Sequence, residues 1–599
     1  MKKSIVSVFI FLLAVVLLLM IYLKRTTTLA ESKASELLPG DTVAVLEVSD
    51  LQRSAARWKE TALCKIIQEP EVQAFLEKPE SKIPGNQQVE EKLAGAQKLG
   101  AKELFFAVTT IAGNMPKFVA GFDYTGERSD AEALVAGLKT QLKTNFPAGK
   151  SDIEKYGESE IETFDFNDMR IASVFKGHWF FASDDLDLLK STLDRLDGKA
   201  DVNTSLRQNS AYKTSILKLP QSSDVSWFVQ PQTLADRLVT LMSVSDPSFD
   251  PKRLDGLKKI QAISGGVKLD GEKIRDAIYV FQPGRGAEPL MARNSLAFTT
   301  PDTLFYYAAV LNMAGAPKLP DPSLDSTGIL RTLDSLRQAL ESAGLTYGDF
   351  EDSFGPEVGV MVDWPASAMQ PSLLLTLDVK NSAKAQKFIE TLVGGQAGFP
   401  AWAKQDIAGT HYYSLPQQAA GIVPVTPVLA LTDKALLFGP AFESVQNAVQ
   451  QAKAGGVGLD KSAGFQAAVN TVGKPSKALV YIDGKALFEK VYNLVINPLK
   501  IMAMFNPHAN DYADISKLPA TETISRHLSP IIYSQSTDAD GILMESSGPV
   551  TLSQTAFALG VGGGIAAMPA LTKQYHALGS QHSLVPMATP QPAIPAATP

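Results

Sequence analysis

Cysteine is almost absent from this sequence. Its 599 residues contain one, Cys64, so an internal disulfide and a zinc cluster built on several cysteines are both excluded. Cys64 lies in the stretch TALCKIIQEP, on one apolar helical stripe with Leu63, Ile66 and Ile67. Because a free cysteine in apolar surroundings behaves as a small hydrophobic residue, we predict a buried structural thiol.

Histidine is scarce, and the net charge is small. The six histidines form no His-x-His or His-Glu-x-x-His pair, so we predict no metal site. A formal net charge of −7 gives no basic surface, and we expect no nucleic-acid partner. The apolar and charged fractions, 45% and 20%, are those of a folded protein. The length predicts roughly two to four domains.

Motifs that carry known chemistries are missing as well. The sequence has no Gly-x-Ser-x-Gly elbow, no Walker lysine motif and no Ser-x-x-Lys set. The glycines between Gly560 and Ile565 lack the preceding strand and the following acidic residue of a dinucleotide site. The stretch around Asp538 and Asp540 lacks the closing glutamate of a calcium loop, and we predict a hairpin turn there.

One acidic cluster needs a separate interpretation. Asp184, Asp185 and Asp187 follow Ser183 at the predicted start of a helix, where carboxylates stabilise the N-terminus. The matching part of the second half of the chain does not keep the cluster. We therefore predict helix capping and assign no catalytic, cofactor-binding or metal-ligating residue and no cofactor.

A long hydrophobic run stands near the start of the chain. From Ile5 to Leu23 there is no charged residue, and as a helix the run would span about 28 Å, the thickness of a bilayer's hydrocarbon core. A cleaved signal peptide is the alternative, but the run is longer than most signal-peptide cores and no Ala-x-Ala site closes it. We predict a transmembrane anchor and short linker over residues 1–37, with the remainder in the periplasm or outside the cell.

The rest of the chain repeats itself at a nearly constant offset, in order along four blocks. Such self-similarity predicts an internal duplication. We place the first copy at residues 38–284, a connection at 285–297 and the second copy at 298–550. The residues that anchor the alignment are Asp41 over Asp302, Asp123 over Asp378, Phe181 over Phe438, and Leu234 over Leu487.

Each copy has the same local patterns. Short β-branched and aromatic runs, such as residues 104–108 and 373–377, are followed by amphipathic stretches at 131–138 and 385–392. Turn residues predict hairpins at four positions: Lys176-Gly177, Asp270-Gly271, Thr432 to Lys434, and Asp540-Gly541. Hairpins followed by helices predict an α+β fold, with an N-terminal transmembrane helix and two tandem domains of mainly antiparallel sheet with packed helices.

The C-terminal end is apolar and rich in glycine. We predict a helix over residues 551–578, and its apolar core from Ala556 to Leu571 is short for a membrane span. Packing on the protein, lying at the membrane surface and crossing the membrane all stay open for this helix. Residues 579–599 have the proline content of a disordered tail.

The opening of the first copy carries a resemblance. Leu38, Pro39, Asp41 and Thr42 precede a helix that contains Trp58, and an acidic turn with Pro70 follows. This pattern resembles a family of bacterial exported proteins known only as a domain of unknown function. The resemblance implies an exported envelope protein and carries no activity.

Three function classes remain. The leading expectation is a non-enzymatic, membrane-anchored envelope protein that binds a ligand or partner, in contact with the membrane through the run from Ile5 to Leu23. The second is a carrier of an apolar, lipid-like ligand, which a continuous apolar concavity would favour. The third is an envelope hydrolase whose two carboxylates come from distant positions, which a cleft lined by two carboxylates of raised pKa would favour.

Overall fold

The computed structural model describes most of the chain up to residue 552. The described ranges are 33–81, 99–112, 115–166, 169–236, 251–311, 340–365, 370–394, 402–415, 418–420, 423–505 and 514–552, with positions 239 and 368. Residues up to Thr551 form one compact unit. The run from Ile5 to Leu23, the stretch from Ala556 to Leu571 and residues 579–599 lie outside the described residues.

The described strands follow the runs of β-branched and aromatic residues. They are, in chain order, β1 Ala44–Val48, β2 Ala101–Ala112, β3 Met115–Tyr124, β4 Lys150–Tyr156, β5 Ser159–Phe166, β6 Met169–Lys176, β7 Trp179–Ser183, β8 Val225–Val229, β9 Ala262–Asp270, β10 Lys273–Phe281, β11 Thr303–Val310, β12 Phe354–Asp363, β13 Ser372–Val379, β14 Ala403–Ile407, β15 Thr410–Ser414, β16 Gln418–Ala420, β17 Val423–Val425, β18 Val428–Leu431, β19 Ala435–Gly439, β20 Ala478–Ile482, β21 Ile531–Thr537 and β22 Gly541–Gly548.

Helices fill the longer connections. The described ones are α1 Ala34–Leu37, α2 Leu51–Glu60, α3 Ala62–Gln68, α4 Pro70–Ser81, α5 Arg128–Asn145, α6 Leu186–Leu196, α7 Ser210–Ile216, α8 Asp255–Lys258, α9 Tyr347–Ser353, α10 Ser382–Val393, α11 Phe442–Ala454, α12 Ala463–Val469, α13 Gly484–Phe505 and α14 Thr521–Ser525. Several begin at side-chain caps, as where Asp50 accepts a hydrogen bond from the Arg53 amide at α2.

Twenty of the strands form one sheet, and every pairing in it is antiparallel. From one edge, the first ten are β4-β5-β6-β7-β3-β2-β1-β8-β9-β10. The sheet continues as β22-β21-β20-β11-β12-β13-β19-β18-β15-β14. The order read inwards from each edge is the same in both halves of the chain, and this is the observation that supports the predicted duplication.

The halves meet where β10 pairs with β22. Ala277 lies opposite Glu545 across this pair. On the other side, Ala277 lies opposite Gly266 of β9, and Glu545 lies opposite Ser534 of β21. Ala277 and Glu545 therefore hold matching positions in their own hairpins and lie opposite each other. The strand register at the junction is thus the one that a two-fold axis between the hairpins would give.

Alternation along the strands gives the sheet two faces. On the first face, Phe105, Phe181, Tyr306 and Leu437 belong to buried clusters that also contain residues of α6, α7, α11 and α12. Other helices cover parts of the second face. Leu51 of α2 and Ala131 of α5 pack there in the first half, and α10 packs there in the second half.

The expected fold is correct in class and wrong in one part. The α+β class with a large antiparallel sheet and packed helices is confirmed. The predicted N-terminal transmembrane helix is not supported, since no helix in the described part of the chain is both long and apolar enough to cross a membrane. The longest described helix, α13, has 22 residues but carries Lys485, Glu489, Lys490 and Lys500, which are costly in hydrocarbon.

Candidate ligand-binding face

A lateral row of apolar side chains crosses the second face of the sheet. Residues directly opposite each other on neighbouring strands share a face, so the ladder registers define the row. From β6 to β22 it comprises Ser173, Ala182, Ala120, Phe106, Leu46, Trp227, Gly265, Ile278 and Met544. Leu46, Phe106, Trp227, Ile278 and Met544 are each partly exposed. The second face therefore offers a mostly apolar strip that crosses the first half and reaches β22 at the junction.

Trp227 lies near the middle of this strip. Its ring occupies the space above Gly265 on the next strand, because a Cβ atom at Gly265 would lie 2.3 Å from the ring. Further along the face, the rings of Phe106 and Phe118 stack with their centroids 5.8 Å apart. Large aromatic surfaces that stay partly exposed are typical of binding surfaces for apolar groups.

A few polar groups interrupt the apolar face. Tyr307 and Tyr533 lie in one row, separated by Val480, and the same row continues through Ser546 to Asp276. Burial, with smaller contributions from the neighbouring Tyr307 and Asp276, raises the pKa of Tyr533 to about 12. Both tyrosines therefore keep their protons near neutral pH and can donate hydrogen bonds to a ligand.

A cleft lies at the outer end of the same face, where the C-terminal half of α5 passes over β5 and β6. Its cavity volume is about 30 Å³. The lining residues are Lys139, Leu142, Lys143, Glu162, Thr163, Phe164, Ile171 and Ser173. Phe164, Ile171 and Leu142 supply apolar surface. The Lys139 Nζ lies 2.5 Å from the Glu162 Oε2, whereas Lys143 has no carboxylate partner among the described residues.

Two exposed apolar residues flank this cleft. Leu138 of α5 is 40% exposed, and Ile153 of the edge strand β4 is 63% exposed. Ile153 lies directly opposite Glu162, so it extends the same face of the sheet to its edge. The cleft therefore opens onto apolar surface and has two cationic groups at its rim.

A pair of carboxylates lies elsewhere, at the start of β12 and the end of β13. Burial, with a smaller contribution from the neighbouring Glu357, raises the pKa of Asp378 to about 6, and a hydrogen bond from Asn294 (Nδ2 to Oδ2, 3.1 Å) opposes the shift. Glu357 is buried and accepts hydrogen bonds from the backbone N–H and the hydroxyl of Ser295, at 3.1 and 2.8 Å. Its contacts are those of a helix cap.

The predicted capping cluster is confirmed in part. Asp185 accepts a hydrogen bond from the Leu188 amide at 2.8 Å and caps α6. Asp184 instead accepts one from the Phe118 amide on β3, also at 2.8 Å, and burial raises its pKa to about 6. Ser183 accepts from the Asp185 amide and donates to the Phe118 carbonyl. These residues fasten α6 to the sheet.

Other predicted positions also have structural contacts. Cys64 is fully buried, with the Gln68 Nε2 at 3.4 Å from its sulfur, which confirms the structural thiol. Asp538 lies in the β21–β22 hairpin turn and accepts hydrogen bonds from the Tyr279 hydroxyl and the Lys218 ammonium. Within the described ranges, no group of three or more histidine, cysteine, aspartate and glutamate side chains could hold a metal ion.

The second face and its cleft were not found from the sequence. Their side chains come from strands that are far apart along the chain, and only the strand order brings them together. One signal could have indicated them. In β1, β2 and β8, the positions of both faces hold apolar residues, which is typical of a sheet covered on both sides.

Comparisons with known proteins give little. No family model and no curated protein matches the chain. Among solved structures, crystal forms III, IV and I of the protein TP0453 are similar, with TM-scores of 0.22, 0.23 and 0.21 at 7%, 8% and 8% sequence identity. The matches cover 41–43% of this chain and 79–80% of TP0453. At these TM-scores the similarity carries no argument about fold or function.

Proposed function

We propose that this chain is a non-enzymatic binding protein of the bacterial envelope, and that it holds an apolar, lipid-like ligand on the second face of its sheet. The observation that carries the proposal is the partly exposed apolar row through Trp227, which crosses the junction between the halves. Ligand sites of this kind are mostly apolar, with a few polar groups that fix orientation, and Tyr307 and Tyr533 fit that role. The resemblance to exported proteins supports the envelope location and stays a prediction.

An envelope hydrolase is the weaker candidate. It needs two carboxylates that reach a substrate together. The described cleft has one carboxylate, Glu162, which is paired with Lys139. The second pair of carboxylates, Glu357 and Asp378, includes a buried glutamate that binds Ser295, and Glu103 repeats this arrangement in the first half. A buried glutamate that binds a backbone N–H occurs in both halves, and this repetition favours capping over catalysis.

The binding proposal is tested with N-phenyl-1-naphthylamine, a neutral probe that fluoresces in apolar surroundings. We expect saturable binding to the full chain and a several-fold weaker affinity for Trp227→Ala, because this substitution removes the largest ring of the face. Trp364→Ala is the matched control, since Trp364 is partly exposed but lies beside Lys490 at 5.6 Å, away from the row. Absence of binding, or equal loss in both variants, contradicts the proposal.

The envelope location is tested by fractionation of the cells that make this chain. We expect the protein with the envelope fractions, and recovery with the cytosolic marker enzymes would contradict this part of the proposal.

A further inference from the structure

We propose that the outward face of α13 docks on the surface of a lipid bilayer. This goes beyond the proposed function, since it concerns a different surface of the chain and needs no bound ligand. Four apolar side chains of this helix are exposed: Val491 by 43%, Leu494 by 61%, Val495 by 46% and Ile501 by 57%. Because they are three, four and seven residues apart, they form an apolar stripe on one face of the helix.

The opposite face of α13 is the one that packs on the protein. The Tyr492 hydroxyl donates a hydrogen bond to the Pro519 carbonyl at 2.6 Å, and the Asn493 Oδ1 accepts one from the Thr521 hydroxyl at 2.8 Å. Ile496 is buried. At about 100° per residue, these three positions of α13 centre on the side opposite the four exposed residues. The helix therefore turns its apolar stripe away from the protein.

α10, in the same half, shows the ordinary arrangement of a surface helix. It buries Phe388 and Ile389 and exposes Lys384 and Lys387. Charged residues on the outward face are what contact with water favours. On α13 the outward face is apolar instead, and a contiguous apolar patch on the surface of a protein is typical of an interaction site.

The size of the stripe favours a bilayer over a second copy of the chain. Four partly exposed side chains on one helix offer on the order of a few hundred Å². A stable protein dimer buries roughly 800 Å² on each partner. A bilayer needs no complementary shape, and a helix that lies at its surface inserts only its apolar face, to a depth of about 5–10 Å.

The charges of α13 complement an anionic lipid surface. The helix contains three lysines, Lys485, Lys490 and Lys500, and one carboxylate, Glu489. Lysines on a helix whose other face is apolar are typical of helices that lie in the bilayer interface, because anionic lipids attract them. The composition of α13 therefore fits contact with lipid head groups on either side of the stripe.

Aromatic rings lie beside the same helix. The Lys490 Nζ lies 5.6 Å from the centroid of the Trp364 ring, and the rings of Phe488 and Tyr492 stack with their centroids 4.9 Å apart. All three rings are partly exposed. Tryptophan and tyrosine are enriched where proteins meet lipid head groups, so these residues suit the rim of a docked helix.

The start of α13 adjoins the second face of the sheet. Phe305, Ile482 and Ile531 lie directly opposite one another on β11, β20 and β21, and each is partly exposed on that face. A Cβ atom at Gly484, the first residue of α13, would lie 4.0 Å from the Ile531 side chain. Docking of α13 therefore places an apolar part of the second face close to the bilayer.

The test uses a fluorophore on α13, so that the readout is local to this helix. In the full chain, Val495→Cys is labelled with nitrobenzoxadiazole and compared with labelled Val202→Cys, since Val202 is an equally apolar and exposed residue elsewhere. Cys64→Ala in both variants removes the buried thiol. With vesicles of phosphatidylcholine and phosphatidylglycerol, we expect the label at position 495 to shift to the blue, to brighten several-fold and to be quenched by brominated acyl chains. The label at position 202 should not change.

A second measurement tests the stripe itself. In the chain labelled at position 495, Leu494→Gln combined with Ile501→Gln should raise the lipid concentration for half of the fluorescence change about tenfold, because two of the apolar contacts are lost. Leu217→Gln combined with Ile153→Gln is the matched control, since both residues are exposed and lie outside α13. This pair should leave the lipid dependence unchanged.

Three results would overturn the docking surface. The first is a label at position 495 that stays unchanged, whether or not the chain binds the vesicles. The second is a blue shift that grows with protein concentration in the absence of lipid, which would mean that a second copy covers the stripe. The third is an equal effect of the two pairs of substitutions. None of them bears on the binding of N-phenyl-1-naphthylamine, so the proposed function is tested separately.

Discussion

Glu103 and Glu357 occupy matching positions in the two halves, and each binds a backbone N–H at the start of the helical turn that precedes the first strand of its half. The Glu103 Oε1 accepts from the Ala34 amide at 2.7 Å, and the Glu357 Oε1 accepts from the Ser295 amide at 3.1 Å. Both carboxylates are buried. They bind the N-terminal end of a turn, where the free N–H groups and the helix dipole favour negative charge.

This relationship predicts similar costs for the two glutamates. Glu103→Ala and Glu357→Ala should each lower the free energy of unfolding by about 1–3 kcal/mol, because buried N–H groups lose a charged acceptor. Urea denaturation at pH 7 measures this, with the exposed Glu60→Ala on α2 as the control. If only one of the two substitutions lowered the free energy of unfolding, the matching glutamates would not have the same structural role.

Asp378 predicts a pH-dependent difference in stability. Its pKa in the folded chain, about 6, is above the ordinary value for aspartate. Its ionisation therefore costs more in the folded than in the unfolded chain, so its contribution to stability falls as the pH rises from about 4 to 6. Asp378→Asn should be more stable than the unmodified chain at pH 8, by about 1 kcal/mol after allowance for partial exposure, and the difference should shrink below pH 4.

The measurement is the unfolding free energy of both proteins at several pH values. Asp433→Asn, in the β18–β19 turn, is the control. A difference that stays constant from pH 4 to 8 would contradict the role of Asp378.

The contacts of Glu69 predict the opposite dependence of stability on pH. It lies before α4, 2.5 Å from the His527 Nε2 and hydrogen-bonded to Arg526, and these partners lower its pKa to about 2. Because the folded pKa is below the ordinary value, the stabilisation exists above about pH 4 and is lost as the pH falls toward 2. Glu69→Gln should lower the urea midpoint at pH 7, with a difference that narrows below pH 4.

Glu60→Gln again serves as the control, since Glu60 is an exposed glutamate of the same half. A difference that grows in acid would show that the bonds to Arg526 and His527 do not stabilise the fold.

Gly265 predicts a steric effect. Gly265→Ala places a methyl group against the Trp227 ring, so we expect a loss of about 1–3 kcal/mol and a shift of tryptophan fluorescence. Gly137→Ala, within α5, meets nothing within 4 Å and should be neutral or stabilise by up to about 1 kcal/mol. Equal effects of the two substitutions would mean that the ring does not occupy the space above Gly265.

Local structure could be predicted from local residues. The hairpins at Lys176-Gly177 and between Thr432 and Lys434 form as expected, since their turn residues and alternation are contiguous. The amphipathic stretches at 131–138 and 385–392 lie within α5 and α10. Alternation on a strand and spacing on a helix depend on neighbours in the chain, so the sequence alone contains them.

The alignment of the halves was less reliable at single residues. The registers place Asp123 opposite Trp179 and Asp378 opposite Ala435. Counting from these pairs, Phe181 matches Leu437, and both are fully buried on the first face. The sequence placed Phe181 over Phe438, whose side chain points to the other face. The sequence alignment matched one phenylalanine to another and so missed a shift of one residue. On a strand, such a shift moves a side chain to the opposite face of the sheet.

The candidate site could not be predicted because it depends on non-local order. Trp227 and Gly265 become neighbours only when β8 pairs with β9, and the cleft needs α5 to lie over β5 and β6. The Glu103 and Glu357 caps likewise join residues 69 and 62 positions apart. Loop closures of that length leave no periodic signal in the sequence.

The register at Ala277 and Glu545 has a consequence for stoichiometry. Strands that meet through matching residues make the contact that two separate, identical halves would make across a symmetry axis. Within one chain this contact is intramolecular, so it does not depend on protein concentration. It also lets matching positions differ. A symmetric dimer would carry Trp227 twice, whereas this chain carries it in one half, and on the proposed function we expect one apolar ligand bound per molecule.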